Sequence, residues 1–337
     1  MRIIIATPFY PPEAGVLGMY AKGLEEAFKR RGDIVSIVPI RFERTLPAGI
    51  RHLIFFLRTL IHTPRASLVL ALDTWSVGVP ALIAAKLFRV PFAVRIGGDF
   101  LWESYVERTK EPVLLSEFYS GRMFSLKERL IYRMTRTLVE RADALLFTTR
   151  FQRDIWQKAY GFSPKRARIV ENYYPPDEGE ATASASRVFV AAGRPIALKN
   201  EDMLARAFAR VKVEYPTIAL DARALPREEH RVRVRSAYAI IIPSLSEVCS
   251  NAAIEAALFG KPFIMSRDTG TSERLENCGL YIDTRKEEEL VSAITSLLDP
   301  AVYEKLQRAC RLFPYEHSWE TMADEILEPI NASRRAG

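Results

Sequence analysis

Cysteine is scarce in this 337-residue chain: Cys249, Cys278 and Cys310 are the only three, and they are widely spaced. None forms a Cys-x-x-Cys pair. That excludes a disulfide framework and a sequence-local zinc site, and the three thiols read as small buried hydrophobes in a reducing compartment. Histidine is scarce as well. His52, His62, His230 and His317 fit no HExxH pattern, and no serine nucleophile elbow or P-loop lysine motif accompanies them. No apolar run reaches membrane-spanning length, because the longest, Leu68 to Phe88, is broken by Asp73, Pro80 and Lys86. No secretory signal precedes the strand-like Ile3-Ile4-Ile5-Ala6. A cytoplasmic protein is expected, at most peripheral at the inner membrane face.

What is present is ordinary globular material, 48% hydrophobic and 26% charged, which excludes wholesale disorder. Lysine and arginine number 48 against 41 acids, a net +7. Such a balance suits phosphorylated small molecules, an anionic membrane surface or nucleic acid. No nucleic-acid motif stands behind the last, so nucleic acid is not an expected partner.

Short β-branched runs alternate with amphipathic stretches along the chain. Ile3–Ala6, Ile34–Val38, Ser67–Ala71, Phe92–Ile96, Ala144–Phe147 and Arg168–Val170 read as strands with helical patterns between them. The alternation stops at 175–186, a stretch of prolines, acids and small residues, and restarts at Arg187. The expected fold class is α/β, with two Rossmann-like doubly wound parallel-sheet domains facing a cleft. Their spans are 1–174 and 187–315, joined by a linker at 175–186, with a last helical segment in 316–337.

Ligands of such sheets meet the loops at the carboxyl ends of the strands. There the strand Ile240-Ile241-Ile242 runs into Pro243-Ser244-Leu245-Ser246-Glu247-Val248-Cys249-Ser250-Asn251, with Glu255 in the following helix. Ser250 or Asn251 suits an N-cap, and the first-turn amides beside Cys249, Ser250 and Asn251 suit a phosphate. A carboxylate at Glu255 can accept two sugar hydroxyls. Upstream, Gly193-Arg194 is followed by Lys199, a fork and a point charge for an anionic leaving group. Near the start, Pro11-Pro12 leads to Gly15 and Gly18 before a helix, without the GxGxxG spacing of a dinucleotide site.

Together these segments resemble a family 4, group 1 glycosyltransferase of the GT-B type. The resemblance rests on Glu247-x7-Glu255, Gly260-Lys261-Pro262, Gly270-Thr271-Ser272-Glu273, Gly193-Arg194-x4-Lys199 and the Pro-Pro loop with Gly15. Cys278 to Asp283 resembles the family's short hairpin, and Ser318-Trp319-Glu320 its final helix, which crosses back to the first domain. The resemblance implies an acceptor-side domain at 1–174 and a nucleotide-sugar domain at 187–315. It implies a retaining transfer from a nucleoside-diphosphate sugar to a hydroxyl of a glycan or lipid-linked acceptor, with no cofactor and no metal. Glu247 would contact the donor sugar and Glu255 the ribose. Arg194 and Lys199 would stabilise the leaving diphosphate. Gly15, Gly193, Cys249, Ser250 and Asn251 would bind the donor.

Two departures stand out. Gly97-Gly98-Asp99 takes the place of the family's histidine-led pair, so Asp99, and less directly Glu103, becomes the carboxylate for sugar or acceptor. The stretch Ala222–Ile241 is short and basic where the family places a turn, a helix and a further strand, which puts base recognition in question. A non-catalytic nucleotide-sugar-binding subunit or an epimerase on the same scaffold is the alternative. Arg51 to His62, basic and very apolar, suits either an anionic membrane or packing on the sheet with basic ends, and packing is the plainer reading.

Overall fold

The computed structural model describes residues 1–13, 15–176, 187–191, 196–225, 227–313 and 315–336. The first half of the chain runs β1 (Arg2–Thr7), α1 (Val16–Arg30), β2 (Ile34–Pro39), α2 (Ala48–His62), β3 (Leu68–Ala71), α3 (Gly78–Leu87) and β4 (Phe92–Ile96). It continues through α4 (Phe100–Thr109), α5 (Leu115–Phe118), α6 (Leu126–Arg141), β5 (Ala144–Phe147), α7 (Arg150–Tyr160) and β6 (Ala167–Ile169). The second half begins β7 (Val188–Ala191), α8 (Glu201–Glu214), β8 (Ala219–Asp221), α9 (Arg227–Ser236), β9 (Ala239–Ile242) and α10 (Asn251–Leu258). It ends with β10 (Phe263–Ser266), α11 (Ser272–Leu275), β11 (Gly279–Ile282), α12 (Glu287–Leu298), α13 (Pro300–Arg311) and α14 (Trp319–Ala336).

The chain forms two compact units. One comprises Met1–Leu101, Met123–Tyr173 and His317–Gly337; the other comprises Trp102–Arg122 and Tyr174–Glu316. Each holds a parallel sheet, ordered β2-β1-β3-β4-β5-β6 in the first unit and β11-β10-β9-β7-β8 in the second. Strands with helices on both faces are buried on both faces. Hence β3, β5 and β9 read as unbroken apolar runs without alternation, and all their residues are buried. Helix ends follow local chemistry. Ser125 and Glu128 form a capping box on α6, and Thr149 caps α7, which stops at the left-handed Gly161.

The structure departs from the sequence reading at three elements. Phe100–Thr109 and Arg227–Ser236 are helices that the polar, aromatic-interrupted pattern hid. The segment expected as a hairpin after Cys278 is instead β11, parallel to β10 with Phe263 opposite Gly279. A Cβ on Gly279 would stand 2.3 Å from the Phe263 ring, so the bare glycine permits that pairing. Of the expected linker 175–186, residues 177–186 lie outside the described residues.

In the first unit α14 packs on α1, and Met322, Ile326 and Ile330 enter the core beside Leu24 and Phe28. The Trp319 ring stacks on Tyr173 at 4.2 Å and meets Tyr20 edge-on at 5.1 Å. Gly23 makes room for it, since a Cβ there would lie 2.4 Å from the indole. Gly23→Val should therefore displace Trp319 and cost about 1–3 kcal/mol, lowering the melting temperature by roughly 5 °C. An unchanged melt with unchanged tryptophan fluorescence would contradict this packing.

His317 leads into the same helix. Its Nδ1 faces the Asn172 carbonyl at 2.9 Å and its Nε2 faces Glu325 at 3.1 Å. Two acceptors on two ring nitrogens favour the doubly protonated imidazolium. Burial alone would lower the pKa, but Glu325 and the Asn172 carbonyl outweigh it and hold the pKa above its ordinary value. A raised folded-state pKa stabilises fully below the unfolded value of about 6.5 and ceases to stabilise as pH rises through the folded value. The melting-temperature gap between wild type and His317→Gln should thus be wider near about pH 6 than near about pH 8.5. A gap independent of pH would remove the charged pair from the account.

Candidate functional site

In the second unit β7 comes first in the chain, β8 lies to one side of it and β9 to the other. The loops leaving β7 and β9 at their carboxyl ends therefore diverge, and such a reversal is where a parallel sheet opens a crevice for ligand. The loop after β9, Pro243 to Ser250, is almost wholly buried; Glu247 and Cys249 are the two side chains in it that are not. From the loop after β7 comes Lys199, at the end of a short 3₁₀ turn, Ala197–Lys199. The following Asn200 takes the left-handed conformation, φ 53°, and its side-chain Nδ2 donates to the Thr284 carbonyl at 2.6 Å.

Lys199 Nζ lies 2.5 Å from Glu247 Oε1 and donates to Ser244 Oγ at 3.1 Å, while Ser244 Oγ donates to the same Glu247 oxygen at 2.6 Å. Lys199 and Glu247 keep some exposure, whereas Ser244 is fully buried. A cation and a carboxylate thus meet at the mouth of the crevice with a hydroxyl fixing their approach. Leu245 N–H donates to the Leu198 carbonyl and joins the two loops directly.

Glu247 is held through its backbone. Its N–H donates to the Asp268 carbonyl at 3.2 Å, and its own carbonyl accepts from Gly270 N–H at 3.2 Å. The loop after β10 supplies these partners. It also supplies Thr271, whose Oγ1 accepts from Ser250 N–H at 2.9 Å. Beneath it Ser246 donates to Asp268, and Leu115 N–H donates to Ser246 Oγ at 2.8 Å. The α5 segment, distant in sequence, thereby buttresses the loop that carries Glu247.

Ser250 caps α10, its hydroxyl accepting from Ala253 N–H at 3.3 Å. Asn251 and Glu255 are four residues apart and share one face of the helix; both are half-buried. Cys249 is half-buried, 4.0 Å from the Tyr174 hydroxyl. The predicted residues Lys199, Glu247, Cys249, Ser250, Asn251 and Glu255 therefore gather around the carboxyl ends of β7 and β9. Gly193 and Arg194 lie outside the described residues. Sequence reasoning missed Ser244 and Asp268; their signal was a small polar residue at the carboxyl end of each apolar strand.

The first unit shows the same reversal at β1, with β2 and β3 on opposite sides. The loop after β1 ends at Gly15, which precedes α1 at φ 152°, a conformation open to glycine, and which faces the Phe9 ring. Arg44 lies over that ring and donates to the Pro8 carbonyl at 2.7 Å. After β4, Asp99 is 1% exposed, and its Oδ2 accepts the Trp156 indole N–H at 2.9 Å. Glu103 is half-buried on α4 and belongs to the second unit. After β3, Asp73 accepts from Val77 and Gly78 N–H at 2.9 and 3.4 Å, while burial pushes its carboxyl pKa up. Among the described residues no three histidine, cysteine or acidic side chains come together as metal ligands.

Comparison with known proteins agrees with this geometry. Residues 8–173 match the glycosyl transferase 4-like domain, and residues 224–300 match glycosyl transferases group 1. D-inositol 3-phosphate glycosyltransferase of Rhodococcus opacus (strain B4) is 26% identical over 238 residues, 57% of this chain and 53% of that protein. The chain thus spans about half the length of this curated relative. Among solved structures, sucrose-phosphate synthase from Thermosynechococcus elongatus superposes over 100% of both chains with a TM-score of 0.74 at 14% identity. Anabaena HepE in complex with UDP-glucose covers 98% of this chain and 100% of its own, with a TM-score of 0.68 at 13% identity. With residues 8–173 and 224–300 matched by the two domain models and the whole chain by the fold, the chain belongs to the group 1 glycosyltransferases of GT-B fold.

Proposed function

We propose that the protein is a retaining glycosyltransferase that moves a sugar from a nucleoside-diphosphate donor to a hydroxyl of a glycan or lipid-linked acceptor, without a metal. The observation that carries this reading is the Lys199–Ser244–Glu247 cluster at the β7/β9 crevice. The bond to be broken joins the anomeric carbon to a phosphate oxygen, so negative charge grows on the departing diphosphate. Lys199, with Arg194 from the same loop, neutralises that charge, and the α10 amides add their dipoles. Glu247, the polar side chain its loop leaves accessible, takes the sugar hydroxyls, and Glu255 takes the ribose. The acceptor oxygen then bonds to the anomeric carbon on the face the diphosphate leaves. Its proton passes to the departing phosphate oxygen, so no protein nucleophile is needed. Asp99 enters as a positioning residue, since its carboxylate holds Trp156. That HepE is described with UDP and UDP-glucose favours a uridine donor.

The test has two parts. UDP-, GDP- and ADP-sugars are first ranked by thermal shift, because a ligand of the native state raises the melting temperature with concentration. Transfer is then assayed with the best donor, and the anomeric configuration of the product is read by NMR. Lys199→Ala and Glu247→Gln should each lower kcat by roughly 100-fold or more while the variants stay folded. No shift with any nucleotide sugar, or full activity in Glu247→Gln, defeats the assignment. An inverted product defeats the retaining mechanism alone.

A further inference from the structure

The excursion Trp102–Arg122 groups with the second unit. It reaches the loops at the carboxyl ends of four of the five strands in that unit's sheet. After β7, Glu107 Oε2 accepts the Ala197 N–H at 2.9 Å. After β9, Leu115 N–H donates to Ser246 Oγ at 2.8 Å, and after β10, Ser116 N–H donates to Asp268 Oδ2 at 3.3 Å. After β11, Arg285 is gripped by both oxygens of Asp283 and donates to Glu117 at 3.0 Å. The excursion is itself stiff. Trp102 Nε1 donates to the Val113 carbonyl at 2.9 Å, Tyr105 meets Phe118 edge-on at 5.4 Å, and Val106, Leu115 and Phe118 are buried.

The contact at β7 bears on Lys199. The turn Ala197–Lys199 is three residues long, so its first N–H groups find no partner inside it. The preceding Ile196 supplies no side-chain cap. The carboxylate of Glu107, 90 residues away in sequence, takes that place. Two further anchors complete the turn: the Leu198 carbonyl accepts Leu245 N–H, and Asn200 Nδ2 donates to the Thr284 carbonyl. Lys199 Nζ projects from among these three anchors to Ser244 and Glu247. Glu107 is exposed, and a hydrogen bond or ion pair in water contributes little to stability. Its leverage on position is larger, because moving a reacting group by about 1 Å can cost roughly 100-fold in rate.

We infer that Glu107 is a positioning residue for Lys199: from α4 it holds the turn that aims the ammonium at the departing diphosphate. This role rests on the sugar-transfer reading, whereas the holding of the turn is measurable without it. Hydrogen–deuterium exchange of the peptide spanning 196–200 is followed in the full chain. Exchange should be about fivefold faster in Glu107→Ala and like wild type in Glu107→Gln, which keeps an oxygen acceptor. In the transfer assay Glu107→Ala should lower kcat roughly tenfold, with the donor KM within about twofold and the melting temperature within about 2 °C of wild type. Glu107→Gln should recover most of that loss. Lys110→Gln removes the partner of the other carboxylate oxygen and should turn over like wild type. In a Lys199→Ala background, Glu107→Ala should cost no further rate, since a residue that acts through another falls silent once that other is gone. Unchanged exchange in Glu107→Ala overturns the inference whatever the activity. So does a full tenfold further loss in the Lys199→Ala background. A wild type that transfers no sugar defeats the sugar-transfer reading instead, and the exchange result then decides alone whether Glu107 holds the turn.

Discussion

A parallel sheet cannot be closed by hairpins, so each strand must be followed by a crossover on one face or the other. When the first crossover goes one way and a later one goes the other, the sheet grows outward from its first strand. The two loops at that reversal can no longer cover one another. In the second unit this happens between β7 and β9. The polar side chains there are set by that constraint before any chemistry is considered. Lys199 and Glu247 come from the two diverging loops, and they approach to 2.5 Å because the loops are also tied by Leu245 N–H to the Leu198 carbonyl.

The same constraint explains why the loop is so heavily reinforced. A loop that ends a buried strand and begins a helix carries backbone polar groups into the interior, and each needs a partner. The backbones of Asp268 and Gly270 and the hydroxyls of Ser250, Ser266 and Thr271 provide them. The consequence is a rigid backbone from which Glu247 projects. Preorganised polar groups stabilise developing charge without reorganising during the reaction, and the hydrogen bonds around Glu247 supply that rigidity. Under the proposed sugar transfer, the ring of small polar residues serves the chemistry by holding the Glu247 loop in place.

The strands and most helices were legible because burial on both faces leaves a simple signature: apolar runs of four to six residues, capped by Ser, Thr or Asp, and stopped by glycine. The Glu247–Glu255 spacing and Lys199 were legible because they sit at fixed places after such runs. Other features were hidden by the third dimension. Nothing in the sequence around Leu115 says that its N–H reaches Ser246, since 131 residues separate them. The segment Trp102–Arg122 groups with the second unit although its sequence neighbours on both sides belong to the first. Helix α9 was obscured because its arginines and glutamates carry no apolar periodicity, and β11 because Gly279 reads as a turn until Phe263 is seen opposite it.

Helix α2 shows a different limit. Its sequence has the apolar content of a core helix, and the plainer expectation was packing on the sheet with basic ends. The helix instead buries Phe55, while Thr59 and the following Thr63 satisfy their hydroxyls against the carbonyls of the preceding turn. A threonine inside and a leucine outside is a costly exchange for a helix in water, because apolar surface left outward forgoes about 25 cal/mol per Å² of burial. Periodicity reveals that a helix has two faces but not which face meets the protein. Only the exposure of Leu53, Leu57 and Ile61 decides it.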